Sequence, residues 1–200
     1  ILGTRAEEFT AEERLQLEKV HQALAILQFK IETQLIKRRP EFQMDNQILL
    51  DNIDYWKNTI TIDGKSYSLQ NTCFQTIDRA NPFELSIVEE QIVDSMLASF
   101  QGSPKMAKHM ELLMKKGSMY KVYNHHLLFH GCIPLKPSGD FQPLVLHQAQ
   151  YAGKELLDFF EYHIRLAAKN KEVWDDLSTD LVWYCWRGPL SPLFGKNKMT

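Results

Sequence analysis

Residues 117–135 read GSMYKVYNHHLLFHGCIPL, and the order of apolar and turn-forming residues here decides how the second half of the chain is built. Met119–Tyr123 and Leu127–Phe129 have the apolar and aromatic content of strands, with Asn124-His125 between them as the turn. Leu127–Phe129 is an unbroken apolar run, which is the pattern of a buried strand. It delivers His130 to the strand mouth, where Gly131 lets a loop or a ligand approach closely.

Three histidines in this stretch, His125, His126 and His130, raise the question of a metal. On a helix His126 and His130 would face one side, like the paired ligands of a zinc-protease motif, but that motif needs Glu after the first His and Leu127 stands there. On a strand the two imidazoles share a face and lie roughly 13 Å apart at ~3.3 Å per residue. They cannot then hold one ion, so any metal at His130 draws its other ligands from elsewhere in the fold. A histidine at a strand end also has a purely structural reading. Cys132 does not fit a phosphatase nucleophile, because the phosphate-cradling Arg expected six residues later is Ser138. No glycine-rich phosphate loop ending in Lys-Ser/Thr occurs.

Upstream, the spacing predicts a long helix from Thr10 to Arg39. Thr10-Ala11-Glu12-Glu13 has capping-box spacing, and Leu17, Val20, Leu24, Leu27, Ile31 and Leu35 form a seam along one face. Acidic residues open the helix, Lys37-Arg38-Arg39 close it, and Pro40 stops it. At ~1.5 Å per residue it extends about 45 Å, either packed along a core or projecting as an arm or dimer seam. Residues 59–69 alternate around Asp63-Gly64, a hairpin signal. Ser86 caps a helix to about Phe100 ended by Gly102, and Ser103-Pro104 opens another closed by Gly117. Further helices are expected from Gly153 to Asn170 and from Glu172 to about Tyr184. His21 and His109 fall within helical patterns and read as solvated or packed.

Composition limits the function classes. The 200 residues carry 23 Lys+Arg against 25 Asp+Glu, a net charge of −2, which argues against a general polyanion binder such as a nucleic-acid protein. The longest wholly apolar run, Leu181–Trp186, is far short of the roughly 20 residues that span a bilayer. Cys73, Cys132 and Cys185 are scattered, which fits a reduced, cytoplasmic compartment and not a disulfide scaffold. In the aromatic tail 186–200, Arg187, Lys196 and Lys198 could hold a phosphorylated ligand together with main-chain amides. Solvated surface charges are the plainer alternative.

FHGCIPL (129–135), with GSMYKVYNHHLL before it and LVWYCWRGPLSPLFGKNKMT (181–200) after it, resembles the class III fructose-1,6-bisphosphatase family of bacteria. That family belongs to the calcineurin-like metallophosphoesterases. The resemblance implies an α+β fold, part of a calcineurin-like metallophosphatase α/β sandwich with a largely helical insertion. Residues 1–117 would be the insertion, with its hairpin at 59–69, and residues 118–200 part of the core. The HGC segment is similar to the His-Gly-Gly segment of phosphoprotein phosphatases, which assigns metal ligation to His130. The implied cofactor is a dinuclear Mn²⁺ centre that activates a water to attack phosphorus. The implied substrate is a phosphorylated sugar, fructose 1,6-bisphosphate of gluconeogenesis, whose second phosphate Arg187, Lys196 and Lys198 would hold. The family's Asp-x-His, Gly-Asp-x-x-Asp-Arg-Gly and Gly-Asn-His-Asp motifs are not in these 200 residues, and its members are several times longer. The chain therefore reads as an internal fragment, inactive alone and with no catalytic residue besides the ligand. Another metallophosphatase of the superfamily, and a non-catalytic helical interaction or dimerisation module, are the alternatives; assembly as a homo-oligomer stays open.

Overall fold

The computed structural model describes residues 9–70, 72, 74–170 and 176–194. These fall into two compact units, one drawn from residues 1–38 and 48–94, the other from 39–47 and 95–200. The class is α+β: five α-helices and three small antiparallel sheets among the described residues.

In the first unit, helix α1 (Ala11–Arg38) opens on the expected capping box. The Glu13 amide donates to Thr10 Oγ1 at 3.2 Å, and the Thr10 amide donates back to Glu13 Oε2 at 2.8 Å. The apolar seam corrects the simple reading of the helix. Only Leu27 and Leu35 of its six residues are buried, while Leu17, Val20, Leu24 and Ile31 are exposed, Leu17 at 40%. Roughly the first four turns have nothing in this unit to cover them. From Leu27 to Ile36 the helix is enclosed on several sides, polar Lys30, Glu32 and Thr33 included.

Lys30 explains that enclosure. Its ammonium is fully buried, 2.8 Å from the Glu89 carboxylate and donating at 2.7 Å to the Thr76 carbonyl. Glu89 stands in the first turn of α2 (Ile87–Gln101) and also accepts the Ser86 amide at 2.7 Å, completing a second capping box. One carboxylate thus fastens a helix start to α1. Gln34 Nε2 donating to the Phe83 carbonyl at 2.8 Å, and Lys37 4.0 Å above the Phe83 ring, hold the same loop. Strands β1 (Ile53–Asp54), β2 (Thr59–Ile62) and β3 (Lys65–Ser68) follow in sheet order, Ile60 opposite Tyr67 and Ile62 opposite Lys65. Asp63 and Gly64 turn the hairpin with φ of 50° and 75°, as the Asp-Gly signal requires.

In the second unit, Ser103 caps α3 (Pro104–Lys116), accepting the Met106 amide at 3.3 Å. Gly117 closes the helix without a left-handed cap, at φ −73°. The last carbonyls of α3 are taken instead by Arg165 of α4 (Gly153–Lys169), which donates to Gly117 O at 2.8 Å and to Met114 O. Strands β4 (Tyr120–Tyr123) and β5 (His126–Phe129) pair around Asn124-His125, both residues at positive φ. Every residue of β5 is exposed, which overturns the expectation of a buried strand. The hairpin pairs only with itself, and no other described strand or helix covers its apolar run. A further hairpin, β6 (Leu144–Leu146) and β7 (Ala149–Tyr151), turns through His147-Gln148.

The core of this unit forms where α4 crosses α5 (Leu177–Arg187). Leu156, Phe160 and Leu181 are fully buried and Tyr184 nearly so, and Phe42 meets the Tyr184 ring edge-on at 4.9 Å. α5 begins at Leu177, with Asp176 as cap accepting the Thr179 amide at 2.6 Å, and runs on to Arg187. The expected start at Glu172 lies outside the described residues. No helix among the described residues is long and apolar enough to cross a membrane.

Candidate functional site

His130 leaves β5 exposed, and the chain after it is pinned at once to a loop 60 residues away in sequence. The Cys132 amide donates to the Pro192 carbonyl at 2.9 Å, and Cys132 Sγ donates to the Ser191 carbonyl at 3.4 Å. Gly131 lies so close to this loop that a Cβ there would stand 2.4 Å from Pro192 O and 2.5 Å from Leu193 O. Only glycine fits that approach.

The partner loop is itself ordered from α5. Tyr184 Oη accepts the Leu190 amide at 3.3 Å, and burial pushes the Tyr184 hydroxyl up to about 12, so it stays a neutral phenol. Ser191 is fully buried and makes three contacts. Its hydroxyl donates to the Cys185 carbonyl at 2.6 Å and accepts the amides of Leu193 at 3.1 Å and Phe194 at 3.2 Å. The C-terminal end of α5, the 188–194 loop and the His130 segment are therefore one hydrogen-bonded unit. Arg187, the last residue of α5, is buried at that same helix end. Lys196 and Lys198 lie outside the described residues. Beside the loop, the exposed rings of Trp186 and Phe194 stack at 5.3 Å.

Neither described cysteine behaves as an activated nucleophile. Burial pushes the Cys185 thiol up to about 12, and Cys132 spends its proton on a carbonyl. A metal fares differently. Among the described residues no group of three or more His, Cys, Asp or Glu side chains could hold an ion. His130 brings one imidazole donor, and no centre is assembled around it among the described residues.

An open cleft of about 510 Å³ is lined by Ser118, Tyr120, Lys121, Asp158, Glu161 and Arg165 among others; Glu161 is paired with Arg165 and Asp158 with Lys154, while Lys121 is exposed. Partial burial pushes Glu161 up, but the Met119 amide at 2.9 Å, the Ser118 hydroxyl at 2.7 Å and the Arg165 guanidinium outweigh it and hold the carboxyl below its ordinary value. The Glu161 carboxylate thus fastens β4 to α4.

The sequence block from the HGC segment to the Pro-rich loop, now shown to be one packed unit, matches a known family model. The Firmicute fructose-1,6-bisphosphatase model covers residues 3–200. The chain belongs to this family. The class 3 fructose-1,6-bisphosphatase of Streptococcus gordonii is 74% identical over all 200 residues, which are 31% of that protein. The Streptococcus sanguinis protein of the same name is 72% identical over the same share, and that of Ligilactobacillus salivarius 53% identical over 94% of this chain and 29% of its own length. The chain thus spans about a third of the fructose-1,6-bisphosphatases it matches. No solved structure matches it. Sequence reasoning singled out His130 and Arg187 and passed over Ser191, the residue that builds the loop packed on the His130 segment, whose signal is a hydroxyl residue before proline in a turn-rich stretch.

Proposed function

We propose that this chain is part of a cytoplasmic, Mn²⁺-dependent fructose-1,6-bisphosphatase that releases the 1-phosphate of fructose 1,6-bisphosphate in gluconeogenesis. In this reading residues 118–200 belong to the metallophosphatase core and residues 1–117 to a helical insertion. The observation that carries it is the family match over 3–200, with identities above 70% to proteins named for that substrate. His130 supplies one imidazole ligand, held at a strand end by a glycine-dependent loop contact, and the other ligands come from the part of the longer protein that this chain does not span. The bound metal would supply charge neutralisation and an activated water. Arg187, Lys196 and Lys198 hold the substrate's second phosphate as cations.

Phosphate release by the full-length protein tests the substrate. Fructose 1,6-bisphosphate should be turned over well above a phosphopeptide, and the reverse order would refute the assignment in favour of another metallophosphatase. His130→Ala should abolish release and weaken Mn²⁺ binding; wild-type values for both would remove His130 from the ligand set.

The exposed Leu17, Val20 and Leu24 of α1 favour a second role for the helical region as a surface for self-association. Light scattering on the full-length protein should then show an oligomer that Leu17→Glu with Leu24→Glu dissociates, and an unchanged mass would exclude α1 from the interface.

A further inference from the structure

Resting on the reading of His130 as a metal ligand, we infer that Ser191 is a positioning residue for that histidine. On its C-terminal side His130 runs straight into Gly131 and Cys132, and this pair meets the partner loop at the carbonyls of Ser191, Pro192 and Leu193. The Ser191 hydroxyl closes the 191–194 turn through two amides, at 3.1 and 3.2 Å. The same hydroxyl ties the turn to the Cys185 carbonyl of α5 at 2.6 Å. Its own carbonyl and that of Pro192 then receive Cys132 Sγ and the Cys132 amide. Pro192 O and Leu193 O define the slot that excludes a Cβ at residue 131. The hydroxyl is fully buried, so its loss leaves two amides and a carbonyl without their partner and lets the slot relax. His130 itself is exposed and has no packing of its own to keep its direction. Its aim is set by the backbone, and the backbone is set by the loop.

Groups that orient a ligand from behind are worth about 10–100-fold in metal affinity. The experiment uses the full-length protein, with Mn²⁺ binding by equilibrium dialysis, phosphate release as a function of Mn²⁺, and thermal unfolding of the metal-free protein. Ser191→Ala should raise the Mn²⁺ dissociation constant by about 10–100-fold, with kcat recovering as Mn²⁺ is raised. In a His130→Ala background the Ser191 substitution should cost no further affinity. Ser191→Ala that lowers the unfolding temperature but binds Mn²⁺ like wild type, or that costs the same affinity with and without His130, would overturn the inference and leave Ser191 a packing residue. If His130→Ala itself leaves Mn²⁺ binding intact, the ligand reading fails and takes this inference with it. If His130→Ala weakens binding and Ser191→Ala does not, the inference alone fails. Gly131→Ala perturbs the same slot from the other side with the hydroxyl kept. It decides the matter by the same criteria should Ser191→Ala not fold.

Discussion

Replacing Lys30 by Met removes one charge of a buried pair and keeps most of the side-chain volume. Lys30 is 0% exposed and Glu89 7%, with 2.8 Å between the charged atoms. The substitution strands a carboxylate that burial already disfavours; removing one partner of a buried pair costs about 3–5 kcal/mol. Glu89 keeps the Ser86 amide at 2.7 Å, which places the expected loss at the low end, about 3 kcal/mol at pH 7. The pH dependence carries the sharper test. In the native protein burial raises Glu89, but Lys30 and the Ser86 amide together hold it below its ordinary 4.5. Its contribution is therefore present above pH 4.5 and lost as pH falls through the lower folded value. Without Lys30 the burial effect gains ground and the folded value moves up, so in Lys30→Met the stranded carboxylate is relieved by protonation as pH falls. The difference between the two proteins should shrink from about 3 kcal/mol at pH 7 to about 1 kcal/mol near pH 4, where a neutral acid and a lost hydrogen bond remain. Urea unfolding followed by far-UV circular dichroism measures it. A double variant, Lys30→Met with Glu89→Leu, should be more stable than Lys30→Met alone. A loss that is the same at both pH values, or additive losses in the double variant, would refute a buried ion pair as the fastening of α2 to α1.

Other outcomes follow from the same structure. Phe160 is fully buried against Tyr184 and Phe159, so Phe160→Ala should cost about 3–5 kcal/mol in urea unfolding. Arg165→Ala should detach the end of α3: it leaves the Gly117 and Met114 carbonyls and Glu161 without their shared donor, and amide exchange at residues 113–119 should rise well above that of α5. Burial holds His163 below 6.5 against the opposing pull of Asp176. Stability from its neutral ring, whose Nδ1 lies 2.8 Å from Ser178 Oγ, is complete above pH 6.5 and lost as pH falls toward the folded value, and a histidine NMR titration midpoint at or above 6.5 would contradict this.

What was legible in the sequence follows from how local each signal is. The Thr10, Ser86 and Ser103 caps, the Asp63-Gly64 turn and the Asn124-His125 turn need only residues within a few positions of each other, and each stands where its spacing puts it. The β6–β7 hairpin was missed because its turn is His147-Gln148, at φ 46° and 72°, two residues that carry no turn signal. The α1 seam misled for a different reason. Periodicity reports which residues could be buried, whereas the burial achieved depends on what arrives to cover them, and here that is the start of α2, held by Glu89 to a lysine of α1. The exposed β5 run makes the same point.

The candidate site divides along that line too. His130 stood out because a histidine between an apolar run and a glycine is a local pattern, and Arg187 because it is a cation in an aromatic, Gly/Pro-rich stretch, although the structure makes it the last residue of α5. What joins their surroundings is a serine 59 residues from the cysteine it holds, and no window of sequence contains both. The glycine at 131 is the one local trace of that distant loop. Its missing Cβ, which would stand 2.4 Å from Pro192 O, matters only if something approaches, and the loop that does is built on the Ser191 hydroxyl. A residue chosen to have no side chain is thus the imprint of a partner elsewhere, and the pair Gly131 and Ser191 should be lost together or kept together wherever the direction of His130 matters.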